Sequence, residues 1–443
     1  MLECDVFVIG CGPAGASLAL YLAQKNIKVI VSEKKKNLDI PVRCAGFVPV
    51  NIAGLFDFKI RGINNRTEFL ETYAAKNPSD KFHLISKTSA PGFILDRDTF
   101  INDIASRFTA SGGELLKSTK VISIKQTSDG FTLHLSDLAS KNQLAVKAKI
   151  IAGADGPLSI AGRLMGSSNK SFIPVILQNP AIILRNTDCN KVFLAPYISC
   201  GYGWLFPKTG SVNLGVGAFF NRKKMQSINK DKNKLLDSDI HTCEVYSGNS
   251  IAIKSDNSDS SVKSSFGRDS CSFGKDIDSS NFNTGKYSAN TFISIKDILA
   301  VFTRHLEFSG ILPKDINPQQ SITGLIPDSG IVENPGTKDG FILCGDAAGL
   351  CNPITGAGIY NAVYSAKLAS EIIAKALSLN DLSILQETKE IYNSQFGNSI
   401  NRALRKKFIQ KNNWPRCIPD IDDNIEFLDL VRQTWISFKE YWH

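Results

Sequence analysis

The chain has 443 residues, of which 43% are hydrophobic and 21% charged, and it carries a formal net charge of +9. That composition excludes a disordered or fibrous chain and supplies enough apolar material for two or three domains. The positive balance suits an anionic lipid surface or a phosphorylated substrate, or is a basic surface that binds nothing, while the Lys and Arg residues form no recognised nucleic-acid module, so nucleic acid is not an expected partner.

In chain order, Val6 to Ile9 is a short apolar run that reads as a buried strand. Ala14 to Gln24 has apolar residues at helical spacing, and Val29 to Val31 is strand-like again. The stretch 35–95 is irregular, with an Arg43-Cys44-Ala45-Gly46 turn. Residues 95–116 read as a helix with a Gly-Gly turn, and 120–125 and 131–135 as a hairpin around Asp129-Gly130. A strand, an Ala-Asp-Gly turn and a helix occupy 148–166, and 174–220 has the look of a second sheet. Residues 221–290 are dominated by Ser, Asn, Asp and Lys and read as a flexible insertion. A helix ends near 308, a strand, glycine-rich turn and long helix fill 339–377, and the tail from 381 is helical.

Ten cysteines lack any Cys-x-x-Cys pair, which argues against zinc ribbons, redox pairs and iron–sulfur clusters and fits reduced thiols. The five histidines show no metal spacing, and no metal is expected. No apolar run approaches the ~20 residues of a membrane span. Asp5 interrupts the first apolar stretch and no basic region precedes it, so a signal peptide is not expected. The expected location is the cytoplasm.

Gly10-Cys11-Gly12-Pro13-Ala14-Gly15 follows a strand, opens a helix, and is followed by an acid, Glu33, at the end of the next strand. Gly10 permits a tight turn, Gly12 lets the backbone approach a pyrophosphate, and Gly15 lets helix and strand pack closely. The helix N-terminus offers N–H groups to phosphates, and Glu33 can accept from a ribose diol. Gly345-Asp346 ends a later apolar strand and precedes Gly356, Gly358 and a helix from Ile359. This resembles the second nucleotide-contacting motif of FAD-dependent oxidoreductases, and Gly153-Ala154-Asp155-Gly156 resembles the third. The three together imply FAD.

Arg43-Cys44-Ala45-Gly46, the Arg97 helix, and Tyr202-x-Trp204-x-Phe206-Pro207 followed by Gly215-x-Gly217 make the chain similar to the geranylgeranyl reductase family, which has a para-hydroxybenzoate hydroxylase-like fold. The resemblance covers 1 to about 220 and about 320–375. It implies an α/β fold: an FAD-binding Rossmann-like domain of the glutathione-reductase type (1–50, 91–166, 320–378), a second, antiparallel-sheet substrate domain (51–90, 167–319) and C-terminal helices (379–443). Ala14, Glu33, Arg43, Cys44, Ala45, Phe47, Arg97, Val121, Asp155, Asp346, Gly356, Gly358 and Ile359 are expected at the cofactor, beside Gly10, Gly12 and Gly15. Ala45 stands where the family often carries an acid or a second glycine.

By the same resemblance, Tyr202, Trp204, Phe206 and Gly215 border a cavity for an isoprenoid chain, where flat apolar side chains suit a ligand offering only hydrophobic burial. Plain sheet core is the other reading of Trp204 and Phe206, and a bulge the other reading of the glycines. Cys44, Tyr202 and Trp204 are the expected catalytic residues, with Cys44 either a proton donor or a small filler. The implied activity is reduction of carbon–carbon double bonds of a geranylgeranyl lipid, quinone or diphosphate. A flavin-dependent monooxygenase or halogenase, or an FAD electron carrier, remains open on the same scaffold. No second G-x-G-x-x-G occurs, so NAD(P)H or a ferredoxin-like protein is the expected transient donor. The basic 402–414 segment, with Trp414, Trp435 and Trp442, rests on a membrane or packs its aromatics inward.

Overall fold

The computed structural model describes residues 1–38, 40–76, 79–184, 186–219, 294–314, 316, 320–414 and 425–436, and the backbone of 243–245 and 250–253. Strand β1 (Leu2–Ile9), helix α1 (Pro13–Ala23) and strand β2 (Val29–Glu33) form the opening unit, with β1 and β2 parallel and Val6 opposite Val29. Val6 and Val8 point to one face of the sheet and Phe7 and Ile9 to the other, and all four are buried. A strand covered on both faces reads as a continuous apolar run, which is why this unit was legible.

The first sheet grows outward from β1. Strand β6 (Glu114–Lys117) adds parallel to β2, and β9 (Gln143–Gly153) adds parallel to the other side of β1. β9 is shared along its length. Its first half pairs with the hairpin of β7 (Thr119–Thr127) and β8 (Gly130–Asp137), and its last residues pair in parallel with β17 (Phe341–Leu343). Helices α1, α2 (Arg97–Ala110) and α5 (Ile359–Leu379) cover one face through Leu18, Phe100, Ile104, Val363 and Ile373.

The second sheet has the order β16-β10-β13-β12-β11-β4-β5-β3. Its strands are β3 (Phe47–Pro49), β4 (Ile63–Ala74), β5 (His83–Leu95), β10 (Phe172–Gln178), β11 (Cys189–Leu194), β12 (Tyr202–Lys208), β13 (Ser211–Gly217) and β16 (Ile322–Pro327). All neighbours run antiparallel except β11 and β4. Helix α4 (Ile295–Phe308) covers one face, where Phe302 meets Phe193, Leu205 and Leu214. A capping box between Ser294 and Asp297 fixes where α4 begins. Helices α6 (Asn398–Asn413) and α7 (Ile425–Val431) close the other face through Ala403, Phe427, Leu430 and Val431.

The structure departs from the sequence reading in several places. The stretch read as irregular contains β4 and β5, a long hairpin whose Asn, Thr, Glu, Ser and Lys residues hide its period. The helix and Gly-Gly turn of 95–116 are present, with the helix at Arg97–Ala110, and the residues after the turn open β6. β3 and β16, expected with the nucleotide domain, are strands of the second sheet. Within the expected insertion, β14 (Cys243–Val245) and β15 (Ser250–Ile253) extend the first sheet beyond β7. The rest of 221–290 lies outside the described residues.

Candidate functional site

The three glycine-containing loops meet at the carboxyl ends of β1, β9 and β17, where parallel α/β sheets take their ligands. Gly10 has φ +93°, and a Cβ there would stand 2.7 Å from the Ala154 carbonyl oxygen and 2.9 Å from Asp155 Cα. A Cβ on Gly15 would lie 1.9 Å from the Gly10 oxygen. On Gly12 it would meet nothing within 4 Å, so this residue presents open backbone. α1 begins one residue later with no acid in its first turn, leaving its N–H groups and dipole available to an anion. Glu33 Oε2 accepts from the Cys11 N–H at 2.9 Å and Oε1 from the Lys35 N–H at 2.9 Å. Each oxygen keeps a lone pair for a diol.

Gly345, at φ +59°, brings the second loop against the first: its Cβ would lie 3.0 Å from that of Ala14. Its N–H donates to Ser365 Oγ at 3.0 Å. Asp346 follows, with one carboxylate oxygen 3.1 Å from where a Gly358 Cβ would stand, at the N-terminus of α5. Desolvation pushes the Asp346 carboxyl up to about 6, and the nearby Arg97 opposes that rise. An open glycine face, an acid-free helix start, a diol acceptor and a second helix N-terminus beside an Asp–Arg pair are a donor set that fits FAD.

The Cys44 turn closes in from the second sheet. Cys44 Sγ accepts from the Gly46 N–H at 3.4 Å, and Gly46, at φ +85°, packs against the Leu95 carbonyl. The Cys44 carbonyl accepts from Asn213 Nδ2 at 3.3 Å. Asn213 Oδ1 in turn accepts from Trp204 Nε1 at 2.7 Å. Phe47 packs edge-on to Phe206 at 6.2 Å. The 352–358 turn is held from both ends: Asn352 Oδ1 accepts from the Ile354 and Thr355 N–H groups, and the Tyr202 hydroxyl donates to the Thr355 carbonyl.

The structure brings Gly10, Gly12, Ala14, Gly15, Glu33, Arg97, Asp346, Gly358 and Ile359 to the carboxyl ends of these strands, with Cys44, Ala45, Phe47 and Gly356 on the side of the second sheet. The side chains of three further expected residues have these surroundings. Asp155 turns its carboxylate to Ser159 Oγ and the Ile160 N–H, both at 2.6 Å, so its side chain caps α3 (Ile160–Leu164). Val121 is buried in the core with Phe7 and Leu135. Arg43 is exposed.

Tyr202, Trp204 and Phe206 do share one face of β12. Trp204 is only 5% exposed and Phe206 7%, so both are core beneath the site, while Tyr202 is half-buried. Trp204 commits its N–H to Asn213 and Tyr202 its hydroxyl to Thr355, and burial raises the Tyr202 phenol further. In this geometry both side chains brace the site. Gly215 gives room to Trp204, because a Cβ there would lie 2.2 Å from the indole. Pairing of β12 with β13 is regular, so no bulge occurs.

Two tryptophans of the tail pack inward. Trp414 is fully buried and donates Nε1–H to the Pro196 carbonyl at 3.0 Å, and Trp435 lies 4.8 Å from Tyr202. Trp442 lies outside the described residues.

Three polar residues were missed. Asn169 Nδ2 donates to the Pro157 carbonyl at 3.0 Å and to that of Asp346 at 2.8 Å, tying the third loop to the second. Asn213 interrupts an apolar strand, which was the available signal. Lys407 falls in line with Ala403, Gln410 and Trp414 on the buried face of α6, a helical spacing that could have marked it.

Comparison with known proteins agrees with this geometry. Residues 3–192 match the family model described as "FAD binding domain". The digeranylgeranylglycerophospholipid reductase of Methanocaldococcus jannaschii is 26% identical over 399 residues, 88% of this chain and 81% of the relative. That of Thermoplasma volcanium is 26% identical over 427 residues, 93% and 86% of the two chains. Among solved structures, a geranylgeranyl bacteriochlorophyll reductase-like protein of Thermoplasma acidophilum has a TM-score of 0.68 at 21% identity, covering 99% of this chain and 98% of its own. Aklavinone-11 hydroxylase, solved with FAD and aklavinone, has a TM-score of 0.58 at 16% identity, covering 93% and 69%.

Fold and site together define an FAD-dependent oxidoreductase. Within that class the relatives to which the chain is similar, at about 25% identity, are digeranylgeranylglycerophospholipid reductases.

Proposed function

We propose that the protein saturates carbon–carbon double bonds of an isoprenoid chain carried on a lipid. The observation that carries this reading is the apolar face built against the 352–358 turn. Tyr202 is bonded to that turn, and the partly buried Phe47 and Ile326 pack into the same cluster. An alkene chain offers no hydrogen bonds, so burial against such a face is its main source of affinity. The relatives named above are reductases of a geranylgeranyl phospholipid, which supports the same substrate class.

Bound FAD supplies the hydride equivalent in such a reduction. The chain's own part is to orient the alkene, exclude water and supply a proton. Cys44 Sγ holds the proton for the second alkene carbon. Asn213 and Gly46 fix its turn, and bulk water restores the thiol afterwards. NAD(P)H or a ferredoxin-like protein reduces the cofactor between turnovers. The outer face of α6 presents Arg405 and Phe408, the latter 68% exposed, and this face meets anionic lipid headgroups. Among the described residues, no helix is long and apolar enough to cross a membrane.

The test is chemical. Dithionite-reduced protein is incubated without oxygen with a geranylgeranyl lipid, and the lipid is weighed by mass spectrometry. Gain of mass in two-hydrogen steps supports the reading. Unchanged lipid without oxygen, and an added oxygen atom in air, would make the protein a monooxygenase.

A further inference from the structure

Lys407 is the unexpected group of the site. It projects from α6 into the protein and is 3% exposed. Its Nζ donates to the Pro353 carbonyl at 3.1 Å and to the Cys200 carbonyl at 3.3 Å, and lies 4.4 Å from the centre of the Phe219 ring. Pro353 belongs to the turn that leads into α5, whose other anchor is Tyr202 at Thr355. The ammonium is therefore held by carbonyl dipoles and a ring. The nearby carboxylate, Asp328, bonds Ser171 Oγ and pairs with Lys411 at 3.4 Å.

We propose that Lys407 is a positioning residue of the flavin site, which pins the 352–358 turn to the C-terminal helix and places a positive charge behind that turn. The proposal rests on FAD lying at this turn and is independent of the isoprenoid substrate. Four other titratable groups act on the lysine: Asp328 beyond β16, Cys200 before β12, Cys351 in the loop, and Lys411 one turn along α6. Desolvation, the largest influence, lowers its pKa from 10.5 to about 7. A cation here favours the reduced, more negative cofactor, because charges interact strongly out of water. By linkage, reducing the cofactor strengthens the lysine's hold on its proton. Just above neutral pH, reduction then takes up one additional proton.

The experiment is potentiometry of the bound flavin across pH 6 to 9, followed by absorbance, on wild type, Lys407→Met and Lys407→Arg. The wild-type potential should fall more steeply with pH just above neutrality than below it. Lys407→Met should have a lower potential at pH 6 and no steepening. Lys407→Arg should keep the wild-type potential at pH 6 and also lose the steepening, since arginine stays charged. Wild type and Lys407→Met with superimposable curves would overturn the proposal. If Lys407→Met binds no flavin, the arginine variant decides, because a retained steepening there rules the lysine out as its source. Wild-type protein that takes up no flavin would overturn the cofactor reading itself, and the lysine's part with it.

Discussion

Trp204 and Asn213 meet across adjacent strands of the second sheet, Nε1 to Oδ1 at 2.7 Å, and Asn213 carries the link on to the Cys44 carbonyl. An aromatic expected to face the substrate is thus the back support of the cysteine turn. Replacing it by Phe removes the N–H donor and leaves a buried amide oxygen unmatched, at a cost of about 1–3 kcal/mol. Asn213→Ala frees the turn directly. Both variants should melt earlier and bind flavin more weakly, as read by thermal denaturation and flavin titration. Unchanged flavin affinity in Asn213→Ala would show that the brace does not serve the cofactor.

Gly12 and Gly215 make an opposed pair. A methyl at 215 collides with the Trp204 ring and, at 2.7 Å, with the Ile176 carbonyl, whereas a methyl at 12 meets no protein atom within 4 Å. Gly215→Ala should therefore destabilise the apoprotein by about 1–3 kcal/mol or more through overpacking. Gly12→Ala should leave the apoprotein's melting temperature nearly unchanged and weaken flavin binding at least tenfold. Calorimetry of the apoproteins with flavin titration separates the two.

Cys44 and Tyr202 are both expected to be catalytic, but they are held differently: the Cys44 thiol accepts from the Gly46 N–H, and the Tyr202 hydroxyl donates to the Thr355 carbonyl. Loss of a proton donor commonly costs about 10²–10⁴ in rate. Cys44→Ala should fall in that range in single-turnover reduction of the lipid. Tyr202→Phe loses only the tether to Thr355 and should fall by less than about tenfold. Equal losses in the two variants would contradict this division.

His305 gives the fold a pH limit. Its ring is buried, stacked on Phe82 at 4.0 Å, and bridges the Tyr197 hydroxyl and the Asp80 carbonyl. Burial lowers its pKa from 6.5 to about 4, so the native ring is neutral. The unfolded chain binds the extra proton between these values. The contribution is therefore complete above pH 6.5 and is lost as pH falls toward 4, by about 3 kcal/mol at most. Denaturant melts of wild type and His305→Gln should converge as pH drops from 7 to 4.

The glycines of the nucleotide loops were legible because backbone sterics fix their spacing: Gly10 cannot be another residue beside Ala154, nor Gly15 beside Gly10. The strand period likewise put Tyr202, Trp204 and Phe206 on one face. It could not say what covers that face, since Trp414 and Trp435 come from more than two hundred residues away. Asn169, Asn213 and Lys407 escaped for the same reason. A single polar residue carries no periodic signal of its role, and its partners are set by tertiary packing alone. The β4–β5 hairpin escaped because its half-covered strands mix polar residues into both faces.

The most direct test of the central claim is the oxidation state of the flavin under argon. Reduced protein is mixed with a geranylgeranyl lipid, and the visible absorbance of oxidised flavin is followed. Return of that absorbance in proportion to lipid added, with none for a saturated phytanyl lipid, is the predicted result. Flavin that stays reduced with the lipid and reoxidises only when oxygen enters would contradict alkene reduction.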